Sequence, residues 1–459
     1  MRMIARNELP NQRPTRVRWQ ILAILATVML VTALGRLNLG IAAKFMQEEF
    51  KFTTDTMGWI LGTFAFGYAL FQIPCGWAGD RYGPRVTLTV ALLGWGLCTI
   101  LIAVVSSFRW AVPLHLAWSL AGIRLVTGAG EAASYPNATK VVASWTPARE
   151  RGFGSSLLLG GVGAGGVIAP VLLSGVIARW GWRWSFVFTG VLALGIALIW
   201  YWFSTNRAQE HPRVNSAEIE ILTSSQQLGE RHAFSLRGTP WRRIFGSSSV
   251  WALLLSYFCH GYAPYIYYTW FFIYLTKVRG FSFAKGVFWG TTPFLAMTLM
   301  ALFGGWLSDK AVARFGRRRG RQSMACLGMT CAAILLMAGS HATGPISAVL
   351  LLAGAAGFGS FAAPSWWACC IDMTPNYAGS LSGIMNTCAN IAGGLSPVVT
   401  AHIATRFGWS QALDFAAAVN FAAALTWFFV KADTNLESRL GVATESALLP
   451  YGDGVHTVE

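Results

Sequence analysis

Residues 76–85 read Gly-Trp-Ala-Gly-Asp-Arg-Tyr-Gly-Pro-Arg, and residues 305–310 read Gly-Trp-Leu-Ser-Asp-Lys. Each segment comes after a long apolar stretch and leads into further basic residues, so the second segment repeats the first. Parallel repeats of this kind are typical of membrane proteins whose two halves enclose a cavity near the middle of the bilayer. The repeat therefore predicts two similar halves.

The composition around this repeat is that of a membrane protein. Of 459 residues, 54% are hydrophobic and only 12% are charged. A bilayer helix needs about 20 apolar residues, so twelve helices would use about 240. These proportions exclude a soluble enzyme, a disordered chain and a small secreted domain. We predict an all-α membrane protein with twelve transmembrane helices in two pseudo-symmetric halves of six.

Hydropathy divides the chain into five segments. They are a basic N-terminus (1–18), a first six-helix bundle (19–204), a polar central loop (205–247), a second six-helix bundle (248–431) and a tail (432–459). An even number of spans places both termini on the same side of the membrane.

The excess of basic residues orients the protein. The net charge is +16, and arginines and lysines cluster before the first apolar stretch and in alternate loops. Such clusters mark the cytoplasmic side. We predict a multi-pass protein of a bacterial inner membrane, with both termini in the cytoplasm, and we expect no binding of nucleic acid.

The sequence contains no motif of an enzyme or of a metal site. The eight cysteines all fall within predicted spans, and none forms a Cys-x-x-Cys pair. No nucleophile elbow or zinc-protease motif is present. We therefore expect no enzymatic activity, no metal and no cofactor.

Ionisable residues inside predicted spans are costly, so they are the strongest functional signal. Arg36, Arg124, Glu131 and His260 are such residues. Arg124 and Glu131 share a helix face but lie about 10 Å apart along the axis, too far for a direct ion pair.

A carboxylate in the membrane interior resists ionisation, so Glu131 is a candidate proton carrier. Arg36 and Arg124 together suit the binding of a carboxylate. The alternative is a buried network of arginine and glutamate that only holds helices together. For His260, a neutral packing role is favoured over titration.

The repeated loop is a candidate conformational latch on the cytoplasmic side. Small glycines allow close helix contact, and Asp80 can accept hydrogen bonds from a helix N-terminus or from nearby arginines. The alternative is an ordinary solvated loop. The latch residues are Gly76, Asp80, Arg81, Gly83 and Arg85, with Asp309 in the second half.

These motifs carry a family resemblance. The segment 76–85 resembles the signature loop of the major facilitator superfamily. The segment from Arg124 to Glu131, followed by Tyr135-Pro-Asn137, is similar to the fourth-helix motif of its anion:cation symporter family. Segments 145–151, 268–280 and 386–397 resemble other motifs of that family in the same order. It includes bacterial galactonate, hexuronate and glucarate transporters, sialin and the vesicular glutamate carriers.

The resemblance implies roles for particular residues. Arg36 and Arg124 would bind the substrate carboxylate, and Glu131 would carry the proton. Four further residues would line the cavity: Tyr68, Trp367, Asn386 and Asn390. Packing is the alternative role for the two aromatic residues, and hydrogen bonding between helices is the alternative for the asparagines. The resemblance also implies a monomer.

Two positions depart from the family pattern. Gly35 stands where the family usually has an aspartate, and a common glutamine of the fifth helix is replaced near Gly161. We expect fewer protons to accompany each substrate and extra room to shift substrate preference.

The sequence therefore predicts a transporter that takes up a small organic anion, such as a sugar acid, together with protons. An uncoupled facilitator remains an alternative. An organophosphate exchanger is disfavoured because no lysine or arginine lies between Trp251 and Lys277. A sensor that does not transport is a further alternative, although the sequence offers no output domain.

Overall fold

The computed structural model describes residues 13–108, 113–147, 150–223, 241–374, 378–433 and 436. The predicted N-terminal segment before residue 13, residues 224–240 of the central loop and most of the predicted tail lie outside the described residues. Within the described part, all regular secondary structure is helical.

The first half is built from long helices joined by short turns. Gly83 joins two of them with a φ of +83°, a backbone conformation that glycine adopts without strain, and Pro84 occupies the first turn of the next helix, where its missing N–H costs nothing. The helices are α1 Val17–Phe50, α2 Thr54–Tyr82, α3 Pro84–Val105, α4 Pro113–Glu131, α5 Ser134–Trp145, α6 Arg151–Trp180 and α7 Trp182–Phe203.

The second half repeats this arrangement after two short helices, α8 Ser216–Thr223 and α9 Trp241–Ile244. A φ of +78° at Gly316 divides its longest helix into two arms. The helices are α10 Ser248–Thr269, α11 Phe271–Ile273 with a π-helical turn over Tyr274–Val278, α12 Phe283–Gly290, α13 Thr292–His341, α14 Pro345–Met373, α15 Ala378–Arg406 and α16 Trp409–Thr426.

Many of these helices have the length and composition of membrane spans. In the described part of the chain, eight helices are long and apolar enough to cross a bilayer. Large apolar side chains remain exposed on them, with Trp202 at 83% and Phe429 at 68%. An exposed apolar surface of this extent suits contact with lipid, and the chain is an integral, multi-pass membrane protein.

The first part of the predicted central loop packs against the first half. Glu218 of α8 is fully buried and accepts hydrogen bonds from the backbone N–H groups of Val17 (3.3 Å) and Arg18 (3.1 Å). It thus caps the start of α1, where a carboxylate is favourable. This part of the loop is an element of the fold, not a free linker.

The bundle has two distinguishable ends. We call the end with the start of α1 and the α2–α3 turn the basic end, because the clustered arginines lie there, and the opposite end the far end. At the far end, Arg183 of α7 donates to Glu49 of α1 (2.9 Å).

The two halves pack tightly against each other between the middle of the molecule and the far end. We call this contact the seam. Gly58 and Gly62 of α2 face the backbone of Pro397 and Gly394 of α15, and a Cβ on Gly58 would lie 2.8 Å from the Pro397 carbonyl oxygen. Gly40 of α1 likewise faces the backbone of α10. Glycine at these positions allows main chains of opposite halves to touch.

Candidate functional site

An ion pair between α1 and α4 forms the centre of the site. The Arg36 Nε atom donates a hydrogen bond to the Glu131 carboxylate. Glu131 is only 1% exposed. A buried carboxylate is stable when an opposite charge compensates it, and Arg36 supplies that charge.

The second arginine lies beside this pair but does not join it. The guanidinium of Arg124 lies 4.5 Å from the ring centroid of Phe64, and that of Arg36 lies 5.7 Å from the same ring. Arg124 is 5% exposed. Its buried Nε has no hydrogen-bond partner among the described residues. Both cations therefore lie close to the Phe64 ring, which attracts positive charge, and Arg124 keeps an unused donor.

Two glycines bring these groups together. Gly67 of α2 contacts the Leu125 backbone of α4, and Gly128 of α4 contacts the Phe64 backbone of α2, so closely that neither position has room for a Cβ atom. Because the two helices cross backbone to backbone, Phe64 lies within reach of Arg124.

Tyr68 and residues of the second half complete the cluster. The Arg36 guanidinium lies 4.8 Å from the Tyr68 ring centroid. Tyr265 of α10 packs against the group that contains Phe64 and Tyr68. The Tyr265 hydroxyl donates to Asn390 Oδ1 of α15 (2.8 Å). The site thus draws on both halves, with its charges in the first and neutral polar groups in the second.

Two other predicted cavity residues lie apart from the charges. The Trp367 ring of α14 lies 6.3 Å from the Tyr135 ring of α5, between the site and the basic end. The Asn386 carbonyl oxygen accepts a hydrogen bond from the Asn390 amide (2.8 Å), while its own side chain makes none among the described residues. His260 stacks on Trp366 with ring centroids 4.8 Å apart.

The structure explains the two departures from the family pattern differently. A Cβ on Gly35 would lie 3.3 Å from the Trp95 ring, so the indole fills the adjacent space. Gly161 faces the Ala26 backbone of α1. The expectation of extra room at Gly161 is therefore wrong, because the glycine serves a close helix contact.

The repeated loop of the first half is held by its own half. Asp80 pairs with Lys140 of α5 (2.6 Å), and the same ammonium donates to the Gly76 carbonyl oxygen (2.6 Å). The partner is thus a lysine, not the predicted arginine or helix N-terminus, because α5 brings Lys140 beside the loop. Arg81 stacks on neighbouring aromatic rings.

The remaining loop residues also bind within their own half. Arg85 donates to the Tyr201 carbonyl oxygen at the end of α7 (2.7 Å). Gly83 lies against the Asn206 side chain. In the second half, Arg321 bridges Asp309 (3.1 Å) and Asp372 (3.5 Å).

No group of three or more His, Cys, Asp or Glu residues that could hold a metal occurs among the described residues. The side chains of the site instead offer positive charge and hydrogen-bond donors, which suit an anion.

Comparison with known proteins identifies the family. Residues 25–397 match the model of the Major Facilitator Superfamily. The probable sulfoacetate transporter SauU of Cupriavidus necator is 31% identical over 398 residues, which cover 86% of this chain and 89% of that protein. The D-galactonate transporter of Escherichia coli is 28% identical over 92% of this chain and 97% of its own length.

Solved structures show the same fold. The inward-open xylose transporter XylE from Escherichia coli has a TM-score of 0.68 at 16% identity, covering 92% of this chain and 98% of that one. A bacterial homologue of the lysosomal transporter Spinster has a TM-score of 0.67 at 18% identity, covering 91% of this chain and 95% of that one. The resemblance to anion transporters that the motifs carry is confirmed, and the chain belongs to the major facilitator superfamily.

Proposed function

We propose that this protein takes up a small organic anion together with a proton, through the site formed by Arg36, Arg124 and Glu131. The unused donor of Arg124 carries the proposal, because a buried guanidinium without an acceptor suits a carboxylate or sulfonate ligand. Related proteins named for sulfoacetate and galactonate transport indicate the substrate class. Tyr68, Trp367, Asn386 and Asn390 remain candidates for contacts with the rest of the substrate.

The ion pair supports coupling to protons. With Glu131 ionised, Arg36 is occupied; a proton on Glu131 releases Arg36 for the substrate. The substrate anion and the Glu131 carboxylate thus compete for one guanidinium, so proton binding and anion binding strengthen each other. Reciprocal strengthening of this kind is the thermodynamic basis of symport.

The membrane arrangement is part of the proposal. The described helices, with α4 and α5 as one span and α13 as two, fit twelve spans in two halves, with the basic end in the cytoplasm. The closed seam on the far side then corresponds to an inward-facing conformation, and the loops of Asp80 and Asp309 would latch the opposite one.

An uncoupled facilitator is the alternative. Gly35 stands where the family usually has an aspartate, so Glu131 is the one acid that this cluster offers as a proton site. The facilitator predicts anion uptake that does not move protons. The organophosphate exchanger lacks support, because the α10 residue that packs against Phe64 and Tyr68 is the neutral Tyr265.

The test is proton movement in proteoliposomes that contain a pH-sensitive dye. Galactonate, glucarate or sulfoacetate is added outside, and we expect the lumen to acidify with the wild type and not with Glu131→Gln. The matched control is Glu49→Gln, which removes a carboxylate from the Glu49–Arg183 pair at the far end. The control should acidify the lumen as the wild type does.

Isotope uptake separates the two functions. Uptake without acidification, equal in the wild type and in Glu131→Gln, would establish the facilitator. Absence of uptake for every anion tested would contradict the transport proposal for this class of substrate.

A further inference from the structure

The seam leaves an open recess between the two halves at the far end. Gln47 of α1 and Thr54 of α2 contribute to it from the first half, and Trp270, Lys277 and Trp409 from the second. This recess lies on the opposite side of the seam from the ion pair of Arg36 and Glu131, and under the proposed orientation it opens to the outside.

One cation in this recess has only a weak partner. The Lys277 ammonium donates to the Gln47 Oε1 atom at 3.3 Å, which joins the two halves directly. Lys277 is exposed, whereas Gln47 is only 8% exposed. No carboxylate pairs with Lys277 in the part of the chain that the structure describes.

Glu49 and Arg279, two other charged residues at this end, already have partners. Glu49 binds Arg183 (2.9 Å), and Arg279 donates to the Gly339 carbonyl oxygen (2.9 Å) and to the Ala342 carbonyl oxygen (2.6 Å). A neutral amide satisfies an ammonium less well than a carboxylate does, because hydrogen bonds between two charged groups are the stronger ones. Lys277 is therefore a cation that an anion can capture.

We propose that Lys277 and this recess form an outer recruitment site for the transported anion, and that the anion displaces Gln47 from Lys277. The site collects a small organic carboxylate before the central site is accessible. The displacement also breaks a contact that holds the halves together on the outer side, so substrate outside favours opening toward it. The inference rests on the proposed function, because it concerns the same substrate.

The test measures initial uptake rates in cells that produce the protein, with whichever of galactonate, glucarate and sulfoacetate the wild type takes up fastest. Lys277→Gln should raise KM about two- to fivefold, the size of an exposed ion pair, and leave Vmax unchanged. The effect should disappear in high salt, which screens exposed charges. Lys277→Arg keeps the charge and should retain the wild-type KM.

The matched control is Lys285→Gln. Lys285 is an exposed lysine of α12 on the same side of the second half, and it does not line the recess. Its KM should equal that of the wild type. A KM for Lys277→Gln no higher than that of this control would overturn the proposal.

A second variant tests the contact between the halves. Gln47→Glu gives Lys277 a carboxylate partner when the outer side is closed, so Vmax should fall about two- to fivefold. An unchanged Vmax would contradict the displacement step. If the wild type takes up none of the three anions, the proposed function itself is refuted. Failure of the recruitment site and failure of the proposed function are therefore distinguishable.

Discussion

At the scale of the residue, Phe64 is the group that connects the two arginines of the site. Phe64→Leu removes the aromatic face and keeps an apolar side chain. Because a cation–π contact contributes about 0.5–2 kcal/mol, we expect KM for anion uptake to rise about 2- to 30-fold. Uptake kinetics in proteoliposomes measure this change.

Phe361→Leu is its control, since Phe361 is a buried ring of the second half that packs on Phe303 and Phe358. A KM shift of equal size in both variants would mean that general loss of packing explains the effect of Phe64→Leu.

The sequence predicts candidate site residues well where a charged side chain lies inside an apolar stretch. Arg36, Arg124 and Glu131 stand out because charge inside an apolar stretch is costly, and the structure brings all three together. Phe64 does not stand out, since it is one of 29 phenylalanines. Phe64 lies one helical turn before Tyr68, which places the two rings on the same face of α2. This spacing points to the site only once α2 and α4 are known to cross.

At the scale of the element, the α2–α4 crossing determines the geometry of the site. A Cβ on Gly128 would collide with the Phe64 backbone. Gly128→Ala should therefore destabilise the protein by about 1–3 kcal/mol, the usual cost of overpacking. Thermal unfolding followed by intrinsic tryptophan fluorescence in detergent measures the loss as a lower Tm.

Gly122→Ala is the matched control, because a Cβ at this position of α4 meets nothing within 4 Å. Alanine there should leave Tm unchanged or raise it slightly, since alanine is the better helix former. An equal decrease in Tm for both variants would disprove the role of the crossing.

Contacts between elements are harder to predict than the elements. The alternation of long apolar helices follows from hydropathy, and eight helices of the described part of the chain are long and apolar enough to cross a bilayer. The Asp80–Lys140 and Glu218–Val17 contacts do not follow, because nothing in a hydropathy pattern states which loop lies beside which helix end. Gly161 shows the same limit, because hydropathy does not predict that it lies against the backbone of Ala26.

At the scale of the whole molecule, the seam is the place where α2 of the first half and α15 of the second half touch backbone to backbone. Gly62→Ala places a methyl group against the Gly394 backbone and should hold the halves apart at the far end. Because transport requires both conformations, Vmax should fall about tenfold for a cost of about 1.4 kcal/mol. Initial uptake rates at saturating substrate measure this.

Gly94→Ala on α3 adds the same methyl group where nothing lies within 4 Å, and its Vmax should equal that of the wild type. A normal Vmax for Gly62→Ala as well would show that the seam tolerates separation. The two-halved plan itself follows from the repeated loops, whereas the position of the seam depends on glycines that sequence patterns alone do not distinguish from those that face lipid.

The bare backbone of the seam has a mechanical consequence. Interdigitated side chains must change rotamers before two surfaces can separate, and each such change has an energetic cost. Where Gly58 and Gly62 contact the main chain of α15 directly, few side chains need to change rotamer, so the halves can separate and rejoin at a low energetic cost. The preference between the two conformations is then left to a few exposed polar contacts, where dissolved ions can act without disturbing the packed interior.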